Sequence, residues 1–551
     1  MKTTLLTLIL FCCCLAGFAQ EPIEVMVQMK AQHDRTQLQR KAEFITTRAA
    51  RRDFVVNELK AFTEASQSDL MVTLRELEQQ GLVSSIQSLW SDNAVCFTAT
   101  EVVVHGLAER ADIESISPVK QYQCIPEAGM DLNPNTSNLR AIDDRTIAPN
   151  IIQVNAPNVW SLGYRGQGVV VAVIDSGVNY YHWDLADHLW DGGEEFPHHG
   201  VDIYNNDDDP MDDLGHGTHC AGTVCGDGTA GLVAGSAPDA TLMCVKSIND
   251  EGFGGAVNFV KGMEWAVAHG CDVISMSLGI ANAEIEDKNL LRHTCESLLD
   301  AGVIAILCAG NEGTEYFLPL FPIPNNVRIP ASCPPPYLDR DQLANPGELS
   351  CVVAVGAVDE NDTAAHFTSQ GPVTWQNTEF DDYPYDPGIG LIRPDVCAPG
   401  VTIWSLTYNH NDDYNFMTGT SQATPCVAGI VALMLNKNPD LTPAEICKIL
   451  EETSLKLTPT KSNITGVGRV DALAAINAVM DWDGLDEAVD FPGDDIDALN
   501  ATLQIMDMRG RIVSSSKNAN SNLSTEGLSP GIYLLRSINN NQVRTKKIVI
   551  R

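Results

Sequence analysis

The chain has 551 residues, so roughly three or four folded units are expected and a single small domain is excluded. Hydrophobic residues make up 44% of the chain and charged residues 19%, which excludes a wholly disordered, collagen-like or coiled-coil protein. The formal net charge of −37 repels phosphate groups, so nucleic acid is not expected as a partner.

The first twenty residues have the pattern of an export signal. Residues 1–20 contain one lysine, then an apolar run, then the small residues Gly17 and Ala19. The run is too short to cross a bilayer, so we predict a secretory signal peptide rather than an anchor. A lipoprotein anchor at Cys12–Cys14 is disfavoured because these cysteines lie inside the run. No later segment reaches spanning length, so an exported protein without a transmembrane segment is expected.

Residues 21–125 have mixed strand and helix patterns. The alternating strand IEVMVQM is followed by a predicted helix from about Thr36 to Ala65 that carries several basic residues. The stretch LMVTLRELEQQG, a strand around NAVCFTATEVVVHG, a short helix ADIES and a final strand complete the segment. These patterns predict a small α+β module, which we call the N-terminal module.

From residue 153 to residue 480, after a junction at residues 126–152, continuous apolar strands alternate with helices. The strands are VVVAVID, TLMCVKSI, DVISMSLG, VIAILCAGN and CVVAVGAV. Helical stretches lie near Val257–His269, Leu290–Ala301 and Ala423–Asn436. Strands that are apolar on both faces are typical of a parallel sheet covered on both sides by helices, so a doubly wound α/β fold is predicted.

The C-terminal part begins with an acidic linker at residues 481–497 and continues as a β-rich segment at residues 498–551. Three strand patterns, ATLQIMDMRGRIVSS, GIYLLRSI and QVRTKKIVIR, are separated by glycine-containing turns. A small β module is therefore predicted.

Cysteine usage fits an exported protein. Of the 16 cysteines, those that follow the signal are odd in number, so at least one thiol is expected to stay free or to pair between chains. Export permits disulfides, and Cys333 and Cys351, which flank a proline-rich loop, are a candidate pair.

Four polar residues lie where predicted strands end or helices begin. Asp175 and Asn311 each end an apolar strand, while His216 and Ser421 lie beside glycines at helix starts. Open parallel sheets collect functional groups at the carboxyl ends of their strands. Singly, these residues are explained as turn formers, local hydrogen-bonding groups or helix caps. Together they predict a nucleophilic serine, a histidine base, an orienting carboxylate and an amide that holds an oxyanion.

The motifs around these residues resemble the successive signatures of subtilisin-like serine proteases. The matching stretches are VAVIDSGVNYYHWDL, HGTHCAGTV, ISMSLG, CAGNEG and GTSQATPCVAG, in the order of the family. The resemblance implies that Asp175 orients His216, that His216 is general base and acid, and that Ser421 is the nucleophile. It implies Asn311 as oxyanion donor and requires no cofactor for the chemistry.

The resemblance also implies that the substrate binds as an extended strand between two edge segments. The matching residues are Gly252, Phe253, Gly254, Ser277, Leu278 and Gly279. Simple loop glycines are the alternative interpretation. Ile280 is expected to narrow the pocket for the residue before the cleaved bond, and an insertion at about 312–350 is expected to overhang the site.

Structural calcium is a further implication of the resemblance. Asp184 matches a recurrent calcium ligand of the family, and the loop at 226–233 has a suitable place. The acidic run at 202–213 is also rich in oxygen ligands, but a solvated loop explains it as well.

The terminal modules imply partners. The N-terminal module resembles inhibitory propeptides, so the chain's own propeptide is expected as an intramolecular inhibitor, with the maturation site within residues 126–152. Residues 498–551 resemble the sorting domain of the type IX secretion route, and a stabilising β appendage is the alternative. The sorting interpretation makes outer-membrane secretion machinery a partner and places the protein outside, or on the surface of, a Gram-negative bacterium.

These observations predict a secreted serine endopeptidase that acts on polypeptide substrates and is made as a zymogen. A non-catalytic binding protein on the same scaffold is one alternative, and the four filled catalytic positions argue against it. A hydrolase of esters or small amides is another, and the glycines of the substrate edges argue against that.

Overall fold

The structure is a computed structural model, and it divides into two compact units, Met1–Val479 and Met480–Arg551. The predicted signal peptide, the predicted linker and most of the predicted junction lie outside the described residues. The described residues are 21–42, 45, 47–125, 146–314, 318–336, 342, 350–375, 378, 390–480, 502–507, 512–516, 531–539 and 542–550.

The N-terminal module is a four-stranded antiparallel sheet with helices between its strands, in the chain order β-α-α-β-β-α-β. The strands pair in the order β2-β3-β1-β4. The elements are β1 (Ile23–Met29), α1 (Arg35–Ala42), α2 (Arg48–Gln79), β2 (Val83–Leu89), β3 (Ala94–Ala99), α3 (Glu101–Leu107) and β4 (Ile113–Pro118).

The predicted helix at 36–65 is in fact two helices, and the second continues much further along the chain. The stretch LMVTLRELEQQG belongs to α2, because Leu70, Leu74 and Leu77 continue its buried face at helical spacing. Thr47 ends the break between the two helices and accepts a hydrogen bond from the backbone N–H of Ala50, as an N-cap residue does.

The next predicted strand and helix were misplaced. The strand ends at Ala99, and the valine-rich run that follows it forms α3 because Val103 and Leu107 lie one turn apart on its buried face. Packing of this face overrides the strand preference of valine. The stretch ADIES is not a helix, since it leads directly into β4.

A sheet of seven parallel strands forms the centre of the body that follows. Its order is β15-β14-β13-β12-β7-β10-β8. The strands are β7 (Val170–Asp175), β8 (Gly200–Asp202), β10 (Thr241–Lys246), β12 (Val273–Met276), β13 (Ile304–Cys308), β14 (Val352–Val358) and β15 (Val396–Pro399).

Helices and short strands surround this sheet. The helices are α4 (Pro149–Gln153), α5 (Ala156–Trp160), α6 (His216–Cys225), α7 (Ala256–Ala268), α8 (Ile285–Ala301), α9 (Thr420–Lys437), α10 (Pro443–Thr453) and α11 (Ala472–Met480). The short strands are β5 (Tyr122–Gln123), β6 (Thr146–Ile147), β9 (Leu232–Val233), β11 (Phe253–Gly254), β16 (Ile403–Leu406) and β17 (Tyr414–Met417).

Both faces of the sheet are buried. Alternate residues of β7 show this, since Val171 and Val173 pack in the apolar cluster that contains α6 and α9, while Ala172 and Ile174 pack with α7 and α8. Each face must therefore be apolar, which explains why the strands have continuous hydrophobic runs. The predicted doubly wound α/β fold is confirmed.

The second unit is described by four antiparallel strands in the order β19-β18-β20-β21. They are β18 (Thr502–Asp507), β19 (Ile512–Ser516), β20 (Gly531–Asn539) and β21 (Gln542–Ile550). The first predicted strand of this segment therefore splits into two.

The described cysteines are all buried free thiols. The predicted pair of Cys333 and Cys351 is not formed, because the Cys351 thiol points towards the chain of α8, where it donates to the carbonyl of Cys295 at 2.9 Å. In the part of the chain that the structure describes, no helix combines the length and apolar character needed to cross a bilayer.

Candidate active site

The predicted site residues converge at the carboxyl edge of the parallel sheet. Asp175 is the last residue of β7, Ser277 directly follows β12, and Asn311 follows β13. These three strands are neighbours in the sheet, so the residues after them lie side by side. Ser421 reaches the same edge from the first turn of α9.

Asp175 and His216 form a hydrogen bond that is shielded from water. His216 Nδ1 donates to Asp175 Oδ1 at 2.7 Å, and the two side chains are 1% and 0% exposed. Burial lowers the pKa of His216, but the adjacent carboxylate outweighs burial and holds the pKa well above 6.5. His216 Nε2 has no hydrogen-bond partner among the described residues, so this nitrogen is available for proton transfer.

A glycine lets the histidine helix approach the strand that carries the aspartate. A Cβ atom on Gly217 would lie 2.1 Å from the carbonyl oxygen of Gly177 and 3.0 Å from Asp175 Cβ. No side chain fits there, so a glycine next to His216 is required for the 2.7 Å contact.

Asp212 is a positioning residue that the sequence analysis missed, because it lies in the acidic run that was interpreted as a cation-binding or a solvated loop. The Asp212 carboxylate accepts from the backbone N–H groups of Leu214, Gly215 and Thr218 at the start of α6. It also accepts from the hydroxyl of Ser176, which follows Asp175. Asp212 thus caps the histidine helix and ties it to the aspartate strand.

The nucleophile candidate Ser421 is buried, and its hydroxyl is not hydrogen bonded to His216 in this structure. Its hydroxyl donates to the carbonyl of Ser277 at 3.1 Å. Pro425 lies in the second turn of α9, where its missing N–H leaves the Ser421 carbonyl without its helical partner. The Ser277 hydroxyl (2.7 Å) and the Cys220 thiol (3.5 Å) donate to that carbonyl instead.

The amide of Asn311 is held with its NH2 group free. Asn311 Oδ1 accepts from the backbone N–H and the hydroxyl of Thr420, both at 3.0 Å. Asn311 Nδ2 is buried and has no partner among the described residues. A fixed, unpaired donor beside the serine is the feature that an oxyanion requires.

Asp175, His216 and Cys220 are the single group of three or more possible metal ligands found in the described part of the chain. The Cys220 thiol lies 3.9 Å from His216 Nδ1, and burial raises its pKa. Because His216 Nδ1 already donates to Asp175, this group is a hydrogen-bonded pair with a protonated thiol beneath it.

A segment of the N-terminal side of the chain lies along the predicted substrate edges. We call residues 122–125 the cleft segment. Tyr122–Gln123 pairs antiparallel with Phe253–Gly254, and the Cys124 N–H donates to the Gly252 carbonyl at 2.9 Å. On the other side, the Gly279 N–H donates to the Cys124 carbonyl at 3.2 Å.

The remaining residues predicted for substrate binding have other surroundings. Ser277 borders Ser421 as described, while Leu278 is fully buried in the core that contains α7 and α8. Ile280 is also buried, and its backbone pairs with Ile329. Their roles toward substrate stay predictions.

Asp184 is surrounded by hydrogen-bond donors. One of its carboxylate oxygens accepts from the Ala230 N–H at 2.5 Å and the other from the Tyr414 hydroxyl at 2.8 Å. Burial raises the pKa of Asp184 to about 6. Both carboxylate oxygens of Asp184 accept hydrogen bonds in this arrangement, and its role as a calcium ligand stays a prediction.

Comparisons with known proteins agree with the geometry. Residues 166–469, more than half of the chain, match the subtilase family, and residues 489–551 match a secretion system C-terminal sorting domain. The serine protease AprX of Bacillus subtilis (strain 168) is 33% identical over 337 residues, which are 56% of this chain and 66% of that relative. Subtilisin DY of Bacillus licheniformis is 32% identical over 331 residues, which are 60% of this chain and 99% of that relative.

A longer but weaker similarity links the chain to bacillopeptidase F of Bacillus subtilis (strain 168). The two are 29% identical over 478 residues, which are 82% of this chain but 30% of that relative. The chain thus spans only part of AprX and of bacillopeptidase F. The sorting domain implies secretion or a location at the cell surface, as predicted.

The cap on the histidine helix gives a first prediction. Replacement Asp212→Ala should lower the free energy of unfolding by about 2 kcal/mol or more, because it removes the acceptor of the donors at the start of α6 and leaves these buried groups unpaired. Urea denaturation measures the change. The matched control is Asp208→Ala in the same run, whose exposed side chain should matter by less than about 0.5 kcal/mol. Equal unfolding midpoints for both variants would contradict the role of Asp212.

The titration of His216 gives a second prediction. The pKa of its imidazole should lie above 6.5. The contribution of the pair with Asp175 to the free energy of unfolding is therefore complete below pH 6.5 and is lost as the pH rises through the raised pKa. In Asp175→Asn the carboxylate that outweighs burial is gone, and the pKa of His216 should fall. Histidine NMR titration measures both, with His269 as internal control because burial lowers its pKa and neither His216 nor Asp175 contributes to the shift. An unchanged His216 pKa in Asp175→Asn would refute this assignment.

Proposed function

This chain belongs to the subtilase family, and we propose that it is a secreted serine endopeptidase made as a self-inhibited zymogen. The observation that carries the proposal is the buried 2.7 Å pair of Asp175 and His216 beside Ser421, with the unpaired Asn311 amide at the same edge. No cofactor takes part in the chemistry.

The reaction is acyl transfer to a serine. Ser421 turns from the Ser277 carbonyl towards His216 Nε2, which accepts its proton as the serine oxygen attacks the scissile carbonyl. The charge that develops on the carbonyl oxygen is held by Asn311 Nδ2 and by the Ser421 N–H at the start of α9. The proton then passes from His216 to the leaving amine, and water hydrolyses the acyl-enzyme by the same route.

Asp175 keeps the imidazole in the required tautomer and stabilises its cation. The high pKa of His216 follows from this carboxylate, and proton uptake from Ser421 is favoured accordingly. The carboxylate needs no protonation of its own at any step.

The substrate is a polypeptide bound as an extended strand. Support comes from the cleft segment, which pairs with Phe253–Gly254 and is also bonded from Gly279. A substrate strand would use the same backbone groups, since they are independent of side-chain identity. Gly252, whose φ is +82°, presents its carbonyl in a conformation that favours glycine.

The N-terminal module is the inhibitor of the zymogen. Arginines near the start of α2 dock it on the peptidase body, with Arg48 and Arg52 each about 3 Å from Asp272. Arg52 also donates to the carbonyls of Gly270 and Cys271 just beyond α7, where a helix end is partially negative. The cleft segment forms the C-terminal end of this docked module.

Maturation cuts the chain within residues 126–152, after the cleft segment, and frees the module from the peptidase. While the cleft segment stays in place it occupies the backbone groups that a substrate needs, so the precursor is inhibited. The C-terminal module directs export, with the outer-membrane secretion machinery as partner.

Active-site labelling provides the test of the proposed function. After exposure of the purified precursor, without its signal, to a fluorophosphonate probe, intact mass should show one adduct on Ser421 and loss of the N-terminal module. Ser421→Ala should stay unlabelled and unprocessed, with turnover lower by on the order of a million-fold. Asn311→Leu should label a hundred- to thousand-fold more slowly, because the nucleophile is retained.

Two outcomes would refute the assignment. One is normal peptidase activity in Ser421→Ala. The other is a folded wild-type chain that takes up no probe after limited proteolysis has removed the N-terminal module, which would indicate a non-catalytic binding protein on this scaffold.

The docking of the N-terminal module should depend on pH through Glu264. This side chain of α7 is 6% exposed, is covered by Trp90 and Ser91 of the module, and accepts from the Ser91 N–H at 2.6 Å. Burial raises its pKa from 4.5 to about 7. Docking is therefore strongest when Glu264 is protonated and should weaken by up to tenfold per pH unit between about 4.5 and 7.

Amide-exchange protection of Ser91 and Cys124 in the Ser421→Ala precursor measures this docking without interference from processing. Glu264→Gln keeps the acceptor oxygen but cannot ionise. In this variant the protection of the Ser91 and Cys124 amides should therefore lose the pH dependence that Glu264 causes. Glu452→Gln, half-exposed on α10, is the matched control and should behave like the parent. The same pH slope in Glu264→Gln and parent would contradict the prediction.

A further inference from the structure

Arg328 is a buried cation at the floor of the cleft, and the sequence analysis gave it no role. It lies in the chain between β13 and β14, in the segment expected to overhang the site, and is 5% exposed. Its neighbour Ile329 exchanges two backbone hydrogen bonds with Ile280, at 2.9 and 3.0 Å, directly after Gly279. The arginine is thus anchored beside the second substrate edge.

Glu312 fixes the orientation of the guanidinium group. Arg328 Nε and Nη2 lie 2.8 and 2.7 Å from Glu312 Oε1, and the other carboxylate oxygen accepts from the Ser369 hydroxyl at 2.9 Å. Burial lowers the pKa of Arg328, but Glu312 outweighs burial and raises it, so the group stays charged. With one side of the guanidinium held by Glu312, the Nη1 group projects in a defined direction.

Nη1 points at the backbone in the cleft. It donates to the Gly279 carbonyl at 2.7 Å and lies 3.1 Å from the carbonyl oxygens of both Gln123 and Cys124 in the cleft segment. The Gly279 carbonyl is occupied by the arginine, while the Gly279 N–H donates to Cys124 of the cleft segment. At this position the edge therefore presents a charged donor, Arg328 Nη1, which reaches two carbonyls of the cleft segment.

The glycine and the arginine depend on each other. A Cβ atom on Gly279 would lie 2.8 Å from Arg328 Cβ. Any larger residue at position 279 would displace Arg328 from the substrate edge. The contact of Arg328 with this edge therefore requires glycine at position 279.

We propose that Arg328 is a positioning residue that binds the main-chain carbonyls of any peptide in this cleft, both the cleft segment of the precursor and a substrate. This proposal rests on the proposed peptidase function. Carbonyl groups occur in every peptide, so Arg328 contributes affinity without selecting side chains. It touches neither the nucleophile nor the scissile bond, so it acts on binding and not on the chemical step.

The test compares Arg328→Met and Arg328→Lys with wild-type mature enzyme on peptides that differ in the side chains before the cleaved bond. Arg328→Met should raise KM at least tenfold, by the same factor for every peptide, with kcat unchanged, because charge-assisted bonds to the backbone are lost. Arg328→Lys should recover part of the loss, since it keeps the charge but not the fork-like geometry.

The matched control is Arg469→Met. Arg469 is 7% exposed, its Nε donates to Asp362, and its Nη1 donates to the carbonyls of Gln153 and Val470, all away from the cleft. It should lose stability but keep KM. If Arg328→Met does not fold because Glu312 is left unpaired, the double variant Arg328→Met/Glu312→Gln removes both charges.

Three outcomes would overturn the proposal: an unchanged KM, a KM increase confined to one class of side chain, or an equal KM increase in Arg469→Met. Failure of the proposed function is a separate result, namely a wild-type enzyme without activity. In that case the amide-exchange protection of Cys124 in the Ser421→Ala precursor still tests the role of Arg328. Arg328→Met should lower this protection at least tenfold, and unchanged protection would refute the role.

Discussion

The buried hydrogen bond between Asp175 and His216 is the constraint on which the site depends. A carboxylate and an imidazole keep a 2.7 Å contact out of water only if both backbones are fixed. Asp175 ends β7, which lies between two other strands of the sheet, and His216 opens a helix that Asp212 caps. Gly217 allows the helix to reach the strand. Because these supports hold the pair, burial does not neutralise it and the histidine remains basic.

Electrostatics link the N-terminal module to the body that follows it. The chain is strongly acidic overall, and the module meets it with arginines near the start of α2. Arg48 and Arg52 share Asp272, and Arg52 also satisfies backbone carbonyls beyond the end of α7. At the C-terminal end of the module, the backbone of residues 122–125 lies between the two predicted substrate edges, at Gly252–Gly254 and at Gly279. The module therefore contacts the body both through the arginines of α2 and through residues 122–125.

Continuous apolar runs identified the central strands well, because a parallel strand buried on both faces requires hydrophobic residues at every position. Short-range patterns were less reliable in the N-terminal module. The valine-rich run after Ala99 has strand propensity, yet it forms a helix whose buried residues are Val103 and Leu107, one turn apart. The extension of α2 to Gln79 likewise continues a buried face. Packing against a distant surface decided these elements.

The sequence by itself determined the chemical groups of the site, since Asp175, His216, Asn311 and Ser421 each stand in a local motif at a strand end or helix start. Only the tertiary structure decided which other side chains position these four residues and which side chains line the cleft. Asp212 looked like one carboxylate among many in an acidic run, and Arg328 like an ordinary loop residue. Their roles arise from contacts across long stretches of chain, as between Arg328 and Cys124. Local sequence determines helix starts, strand ends and residue types, whereas the partners of a buried charge are determined by the packing of the whole chain.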